Sequence, residues 1–378
     1  MLHVAGGLYR EICLRPAWNG VFGSGGRAAL CVAALSGAAT LHSYAEDASC
    51  HALDSYRDRG VRMRLTRRDG AVAFAYFHPL STPHLEPATI APCEPIEVSG
   101  DVVLRFGFVE GDAVVSAGRA VYDPQGWRGP RDFAENGSAA RELALVLNEA
   151  ELEAMGGSGQ VDEAARELIR SGRATSVIVK RGFRGAVVID SALRLHHVPA
   201  FRSERVFKIG TGDVFSASFA HHWGLERRTP EAAARAASLL VARYASFGGF
   251  DSASPSAEPP AVGGRPLGPV VVIGATDAVG SHYVREEAVF RLRELGVDAL
   301  ASSPSLDVEG AAATLILADG MTAQALAESL DAACGGSPIV VLRESAATAL
   351  PTGATFDVTD DFTTALYRAA WAASVPEA

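Results

Sequence analysis

Val206-Phe207-Lys208-Ile209-Gly210-Thr211-Gly212-Asp213-Val214-Phe215-Ser216-Ala217-Ser218-Phe219 passes from an apolar, strand-like start through Gly-Thr-Gly-Asp into a helix-like run. Two glycines allow a tight turn that exposes successive N–H groups. The helix start adds unpaired N–H groups and the positive end of a dipole. Such a place holds a phosphate. Asp213 stands out there, because a carboxylate repels phosphate. One reading makes it a base that takes a proton from a hydroxyl while the backbone neutralises a transferring phosphoryl group. The other makes it a helix cap, a position that Asp favours.

Other segments weigh on that choice. Together with Gly210–Gly212 and Asp213, an ordered set of motifs resembles the ribokinase/PfkB family of sugar and nucleoside kinases over roughly residues 1–250. Gly6-Gly7-Leu8-Tyr9-Arg10-Glu11 is similar to the family's opening strand and acidic substrate position. Gly23-Ser24-Gly25-Gly26-Arg27-Ala28 is similar to its Gly-rich substrate loop. Val121-Tyr122-Asp123-Pro124, Leu147-Asn148-Glu149-Ala150-Glu151 and Val177 to Ala186 follow in family order. The resemblance implies ATP and Mg²⁺ as cofactors and Asp213 as the general base. It implies an anion hole from the backbone of Gly210, Thr211 and Gly212. Asn148 and Glu151 would organise Mg²⁺ through water, which suits a cation that keeps its waters and prefers oxygen. Lys180, Gly182 and Gly185 would lie near the nucleotide, and Glu11, Gly25, Gly26 and Arg27 near the acceptor.

Two departures bear on the acceptor. Glu11 stands where the family has Asp, and Ala28 where it has a sugar-binding Asn. Losing that amide removes a bidentate contact. Arg27 is then expected to hold a phosphate or carboxylate. The acceptor that the resemblance implies is a sugar, nucleoside or sugar phosphate, and a nucleotide-binding sensor without turnover stands as the alternative.

Composition fits a soluble α/β enzyme. The chain has 378 residues, 48% of them hydrophobic, which is more than one core usually holds. A net charge of −10 without basic runs argues against nucleic-acid binding. Lysine occurs only at 180 and 208, read as compositional bias. Five scattered cysteines suit reduced thiols in a cytoplasm. No apolar stretch is long enough to cross a bilayer, and the sequence is compatible with a homodimer without fixing the oligomeric state.

Residues 251–268, rich in Pro, Gly, Ser and Ala, read as a linker between domains at 1–250 and 269–378. Before it, strand-like runs at 102–106, 144–147 and 177–179 alternate with helical ones at 163–170 and 230–245, implying βαβ units. The expected fold is a three-layer sandwich with a mostly parallel sheet. Val61 to Phe77, with Asp69-Gly70 between alternating runs, predicts a hairpin. In the resembled family, strands here form a lid over the sugar. After the linker, strands at 270–273, 313–317 and 339–342 alternate with helices, predicting a smaller flavodoxin- or Rossmann-like domain. The glycine spacing of Gly274 to Gly280 is wrong for dinucleotide binding. Arg293-Glu294-Leu295-Gly296-Val297, Asp319-Gly320-Met321, Glu328 and Gly336-Ser337-Pro338-Ile339-Val340 resemble the nucleoside 2-deoxyribosyltransferase-like family. That resemblance would make Glu328 a nucleophile on an anomeric carbon, with Asp319 beside it. The family's Asp-Pro-Gly-Thr segment is here Thr322-Ala323-Gln324-Ala325, so the expectation is ligand binding with weak glycosidic chemistry.

Overall fold

The computed structural model describes every residue except 47–49, 127–128, 157–158, 251–256, 303–309, 334–336, 351–355 and 376–378. Cys334, Gly336 and the start of the expected linker therefore lie outside the described residues. The chain forms two compact units. The first comprises 1–181, 186–198 and 208–258, and the second 182–185, 199–207 and 259–378.

In the first unit, β1 (Leu2–Ala5), β2 (Arg10–Cys13) and β3 (Trp18–Val21) lead into α1 (Gly23–Ser36). β4 (Ala39–Ala45), α2 (Cys50–Asp58), β5 (Val61–Arg67), β6 (Ala73–Tyr76) and β7 (His84–Glu86) follow. Then come β8 (Ile96–Phe106), β9 (Ala113–Asp123), β10 (Ala139–Asn148), α3 (Glu149–Ala154) and α4 (Val161–Arg170). The unit closes with β11 (Ser176–Lys180), β12 (Ala186–Ile189), β13 (Leu195–Val198), α5 (Thr211–Phe219) and α6 (Pro230–Phe247). The central sheet has the order β13-β12-β11-β10-β9-β8-β1-β4-β5. It is parallel from β11 to β5, while β12 pairs antiparallel with both β11 and β13.

Strands buried on both faces read as unbroken apolar runs. One face, with Ala5, Val103, Leu145, Leu147, Val177 and Val179, packs with Leu152 of α3, Met155 at its C-cap, and Ala164 and Leu168 of α4. The alternate residues Val4, Leu104, Val146 and Ile178 are equally buried on the other face. There α1, α5 and α6 pack together. Gly25 allows α1 to cross β1's exit, since a Cβ on it would meet the Gly6 oxygen at 2.3 Å.

The expected 61–77 hairpin does not form. β5 is the parallel edge strand of the central sheet. β6 instead joins a separate sheet of order β3-β2-β6-β7. Arg68, between them, is buried, and its guanidinium bonds Glu110 and Glu46, both at 2.7 Å. Those long-range pairs override the local turn signal of Asp69-Gly70. The small sheet that does form takes β2 from the chain start, paired parallel with β6.

The second unit contains β14 (Ala200–Phe201), β15 (Ala261–Val262), β16 (Arg265–Pro266), β17 (Val270–Gly274), α7 (Val279–Glu294) and β18 (Ala299–Ser302). β19 (Ala313–Leu317), α8 (Ala323–Ala333), β20 (Ile339–Leu342), β21 (Asp357–Thr359), α9 (Phe362–Ala372) and β22 (Ser374–Val375) complete it. Its sheet has the order β18-β17-β19-β20-β21, all parallel, which is the flavodoxin-like winding. Residues 259–268 are not a bare linker: β15 pairs with β14, and β16 with β22. Segment 199–207 is also bound into this unit, with Arg205 paired to Asp360 at 2.7 Å and the Val206 N–H on Thr364 Oγ1 at 2.9 Å. Backbone pairing and these polar bonds, invisible in composition, shift the expected boundary.

Candidate active site

The Gly-Thr-Gly-Asp turn folds as its chemistry requires. Gly210 caps α5 at φ +76° with no side-chain cap, a conformation that glycine adopts without strain. A Cβ there would lie 2.1 Å from Arg27 Nε, so the turn rests directly on that guanidinium. The Thr211 N–H is taken by the Lys208 carbonyl at 3.2 Å, and that of Val214 by the Gly210 carbonyl. Thr211 therefore leaves the expected anion hole. Among the described residues nothing accepts from the N–H groups of Gly212 and Asp213, which remain as donors at the positive helix end.

A cavity of about 260 Å³ opens beside this turn. Gly210, Gly212, Asp213 and Lys208 line it from the turn, Gly23, Ser24 and Arg27 from α1, and Gln125, Gly126 and Glu151 from the sheet's carboxyl side. Tyr9, Glu11, Phe74 and Tyr76, from β2, β6 and the approach to β2, close it on the small-sheet side.

Asp213 is buried, and burial lifts its carboxyl to about 6 against the pull of Arg27. Arg27 Nη1 donates to Oδ2 at 2.9 Å, and Gln125 Nε2 to Oδ1 at 2.9 Å. Arg27 is 1% exposed. Its Nη1 and Nη2 both bond Glu11, and its Nε donates at 2.8 Å to Tyr244, whose hydroxyl donates to the Ile209 carbonyl. Most of its donors are therefore engaged inside the protein. It is a clamp between Glu11 and Asp213, not the free acceptor-binding cation expected. Glu11 is likewise held, by Arg27 and by the Gly23 N–H at 3.1 Å. Gly25 and Gly26 do not line the cavity. They pack on the chain start, with N–H groups on the Gly7 carbonyl. Ser24 does line it, and its buried hydroxyl has no hydrogen-bond partner.

Asn148 and Glu151 form a capping box on α3: Asn148 Oδ1 accepts the Glu151 N–H at 2.8 Å, and Glu151 Oε2 the Asn148 N–H at 2.7 Å. Asn148 is exposed and outside the cavity, so the cap explains it. Glu151 faces the cavity, and burial followed by Asp123 raises its carboxyl above the usual range. Asp123 is buried, with Oδ2 accepting from Lys180 Nζ at 2.5 Å and Ser216 Oγ at 2.7 Å. Its Oδ1 has no partner. One orphaned carboxylate oxygen beside a second carboxylate suits a hydrated divalent cation. Gly182 and Gly185 group with the second unit and are not among the cavity-lining residues.

In the second unit a cavity of about 280 Å³ lies past the carboxyl ends of β17, β19 and β20, lined by Ala275, Ser281, Leu317, Asp319, Leu342 and Glu344 among others. Asp319 accepts from the N–H groups of Glu344 and Ser345 and from Thr348 Oγ1, so it fastens that loop. Glu328 is exposed on α8, bonded by Gln324 at 2.9 Å, and does not line the cavity. It lacks the placement of a nucleophile.

Lys208 and Gln125 were missed as site residues. The signal for Lys208 was present: it is one of two lysines, in the stretch that leads into the turn. Gln125 adopts φ +46°, a backbone state that its sequence context does not announce.

Comparison with known proteins bears on the fold. Residues 131–246 match the model of the pfkB family carbohydrate kinase. Over 119 residues the chain is 36% identical to deoxyribokinases of Salmonella typhi and Salmonella typhimurium, which is 30% of this chain and 38% of each relative. The match thus spans well under half the length of these curated relatives. Among solved structures, a fructokinase from Vibrio cholerae O395 bound to fructose, ADP and calcium superposes with a TM-score of 0.51 at 15% identity, covering 68% of this chain and 96% of that one. Phosphofructokinase-2 from Escherichia coli in complex with potassium gives 0.50 at 16% identity, covering 66% and 94%. These likenesses establish a ribokinase-like α/β fold with a mostly parallel central sheet.

Proposed function

We propose that the first unit transfers a phosphoryl group from ATP to a hydroxyl of a sugar, nucleoside or sugar phosphate. The observation that carries this reading is Asp213: a carboxylate with its pKa near 6, the third residue of α5, lining one cavity together with Gly212 at the start of that helix. A base near neutrality and an anion hole are what transfer to an alcohol needs.

Asp213 takes the acceptor proton. Arg27 and Gln125 hold its carboxylate in place. The N–H groups of Gly212 and Asp213 face the charge that develops on the transferred group. Tyr9, Phe74 and Tyr76 shield the reaction from water. Glu151 and Asp123 would hold Mg²⁺ through its waters. When bound, that ion neutralises charge on the donor phosphates. The second unit, in this reading, offers a small-ligand cavity for a nucleoside-type molecule, without glycosidic chemistry at Glu328.

One observation favours a second reading, a nucleotide sensor without turnover: both Asp213 oxygens already carry hydrogen bonds. Turnover of ATP against a panel of sugars, nucleosides and sugar phosphates separates the two. The kinase reading expects kcat/KM to rise through about pH 6, as Asp213 loses its proton, and to fall about tenfold per unit below it. Asp213→Asn should lower kcat by roughly 10²–10⁴-fold and abolish that limb. Normal turnover in the variant, at unchanged melting temperature, would refute the base. No turnover in the wild type, with ATP still raising its melting temperature, would establish the sensor.

A further inference from the structure

We infer that Lys208 is the cation that receives the terminal phosphate of the phosphoryl donor. The inference rests on the kinase reading and adds to it a residue, a charge and a donor chemistry. The chain draws its positive charge almost wholly from arginine, yet its two lysines, 180 and 208, come to one place. Lys180 is balanced there, with Nζ on Asp123 at 2.5 Å. Lys208 is not. Its ammonium donates to Thr211 Oγ1 at 3.1 Å, and among the described residues it makes no ion pair. Burial, then the charge of Lys180, pulls its pKa down, with Asp213 alone acting the other way. A cation held in this way lacks an anion.

The geometry says where that anion goes. Thr211 is the first residue of α5, so its hydroxyl ties the Lys208 ammonium to the helix start. Lys180 Nζ lies 3.7 Å from where a Cβ on Gly212 would be, so a second ammonium stands at the same turn. At that turn the N–H groups of Gly212 and Asp213 have no acceptor among the described residues. Ser24 adds an independent sign of a ligand: the residue is 5% exposed and in the cavity wall, and its buried hydroxyl has no partner among the described residues. Two ammonium groups, two N–H groups and a dipole end suit a dianionic phosphate.

In the transfer, the bond between the terminal phosphorus and the donor's bridging oxygen breaks. A bond forms from that phosphorus to the acceptor oxygen, whose proton passes to Asp213. Lys208 gives up no proton and offsets charge throughout. The shared ligand chemistry is the terminal phosphate of a phosphoric anhydride, which a nucleoside triphosphate or inorganic pyrophosphate would each supply.

The test uses the full chain with ATP and pyrophosphate as separate donors. Lys208→Met should lower kcat/KM for the donor by about a hundredfold or more, the scale for losing one preorganised donor to a developing charge. The acceptor KM should move less than about threefold, and the unliganded melting temperature should hold or rise, because a half-buried charge without an ion-pair partner is removed. A structural role would lower it. The rise in melting temperature with donor should vanish in Lys208→Met and persist in Asp213→Asn. A response to pyrophosphate equal to that of ATP assigns the contact to the phosphate alone, and a response to ATP only assigns it to a nucleotide's phosphate. A wild type that transfers phosphate, with Lys208→Met matching it in donor KM and kcat, would overturn this inference and leave the kinase reading standing. A wild type that transfers from neither donor would defeat the kinase reading. A donor-induced rise lost in Lys208→Met would still assign Lys208 to an anion.

Discussion

Arg27→Met is the perturbation with the most consequences. The wild-type guanidinium is 1% exposed and bonds Glu11, Asp213 and Tyr244. Methionine fills much of the same space but leaves two carboxylates facing each other in a buried cavity. Removing one partner of a buried ion pair costs about 3–5 kcal/mol. For a unit of this size that lowers the melting temperature by about 6–20 °C. A second effect follows from the first. Burial raises the Asp213 pKa, Arg27 opposes that rise most strongly, and Glu11 adds to it less. Without Arg27 the carboxyl should titrate above 6, so the acid limb of kcat/KM moves to higher pH and activity at pH 7 falls. The double variant Glu11→Leu with Arg27→Met replaces the pair by apolar groups, an exchange that is often neutral or stabilising. It should regain most of the melting temperature, while the limb returns only in part, because the Arg27 effect on Asp213 exceeds that of Glu11. Differential scanning calorimetry and a pH series of kcat/KM measure the two effects separately. A variant that melts within 2 °C of the wild type, with its limb in place, would show that the clamp neither holds the fold nor tunes the base.

Gly210→Ala should lose at least about 1–3 kcal/mol from left-handed strain alone, and more because its Cβ would press on Arg27 Nε at 2.1 Å; an unchanged denaturation midpoint would contradict the close packing described here. In the second unit, Asp319→Ala should destabilise by about 1.5–3 kcal/mol through the hydrogen bonds it makes to the 344–348 loop. Glu328→Ala should stay within about 0.5 kcal/mol of the wild type and alter no nucleoside chemistry; base release from nucleosides that depends on Glu328 would restore the role its placement denies.

The sequence by itself determined whatever rests on neighbouring residues. Turn chemistry at Gly210–Asp213 and apolar periodicity placed α5, α6, α8 and the buried strands β11, β17, β19 and β20 close to their observed spans. Those signals are local, since a tight turn and a repeating face are written within about ten residues. Tertiary structure decided the rest. Arg27 meets Asp213 across 186 positions, and no local pattern says that an arginine in the first turns of α1 will be buried between two carboxylates. The small sheet pairs β2 with β6 in place of the hairpin that Asp69-Gly70 suggested, because Arg68 finds Glu46 and Glu110. Asn148 became a cap and Glu328 a solvated helix residue because packing turned them away from the cavities. Lysines 180 and 208 acquired meaning only where folding half-buries both and leaves one, among the described residues, without an ion pair. Charge pairing of this kind is weak in the water-exposed chain and strong once buried, so it is settled by the fold that brings the partners together.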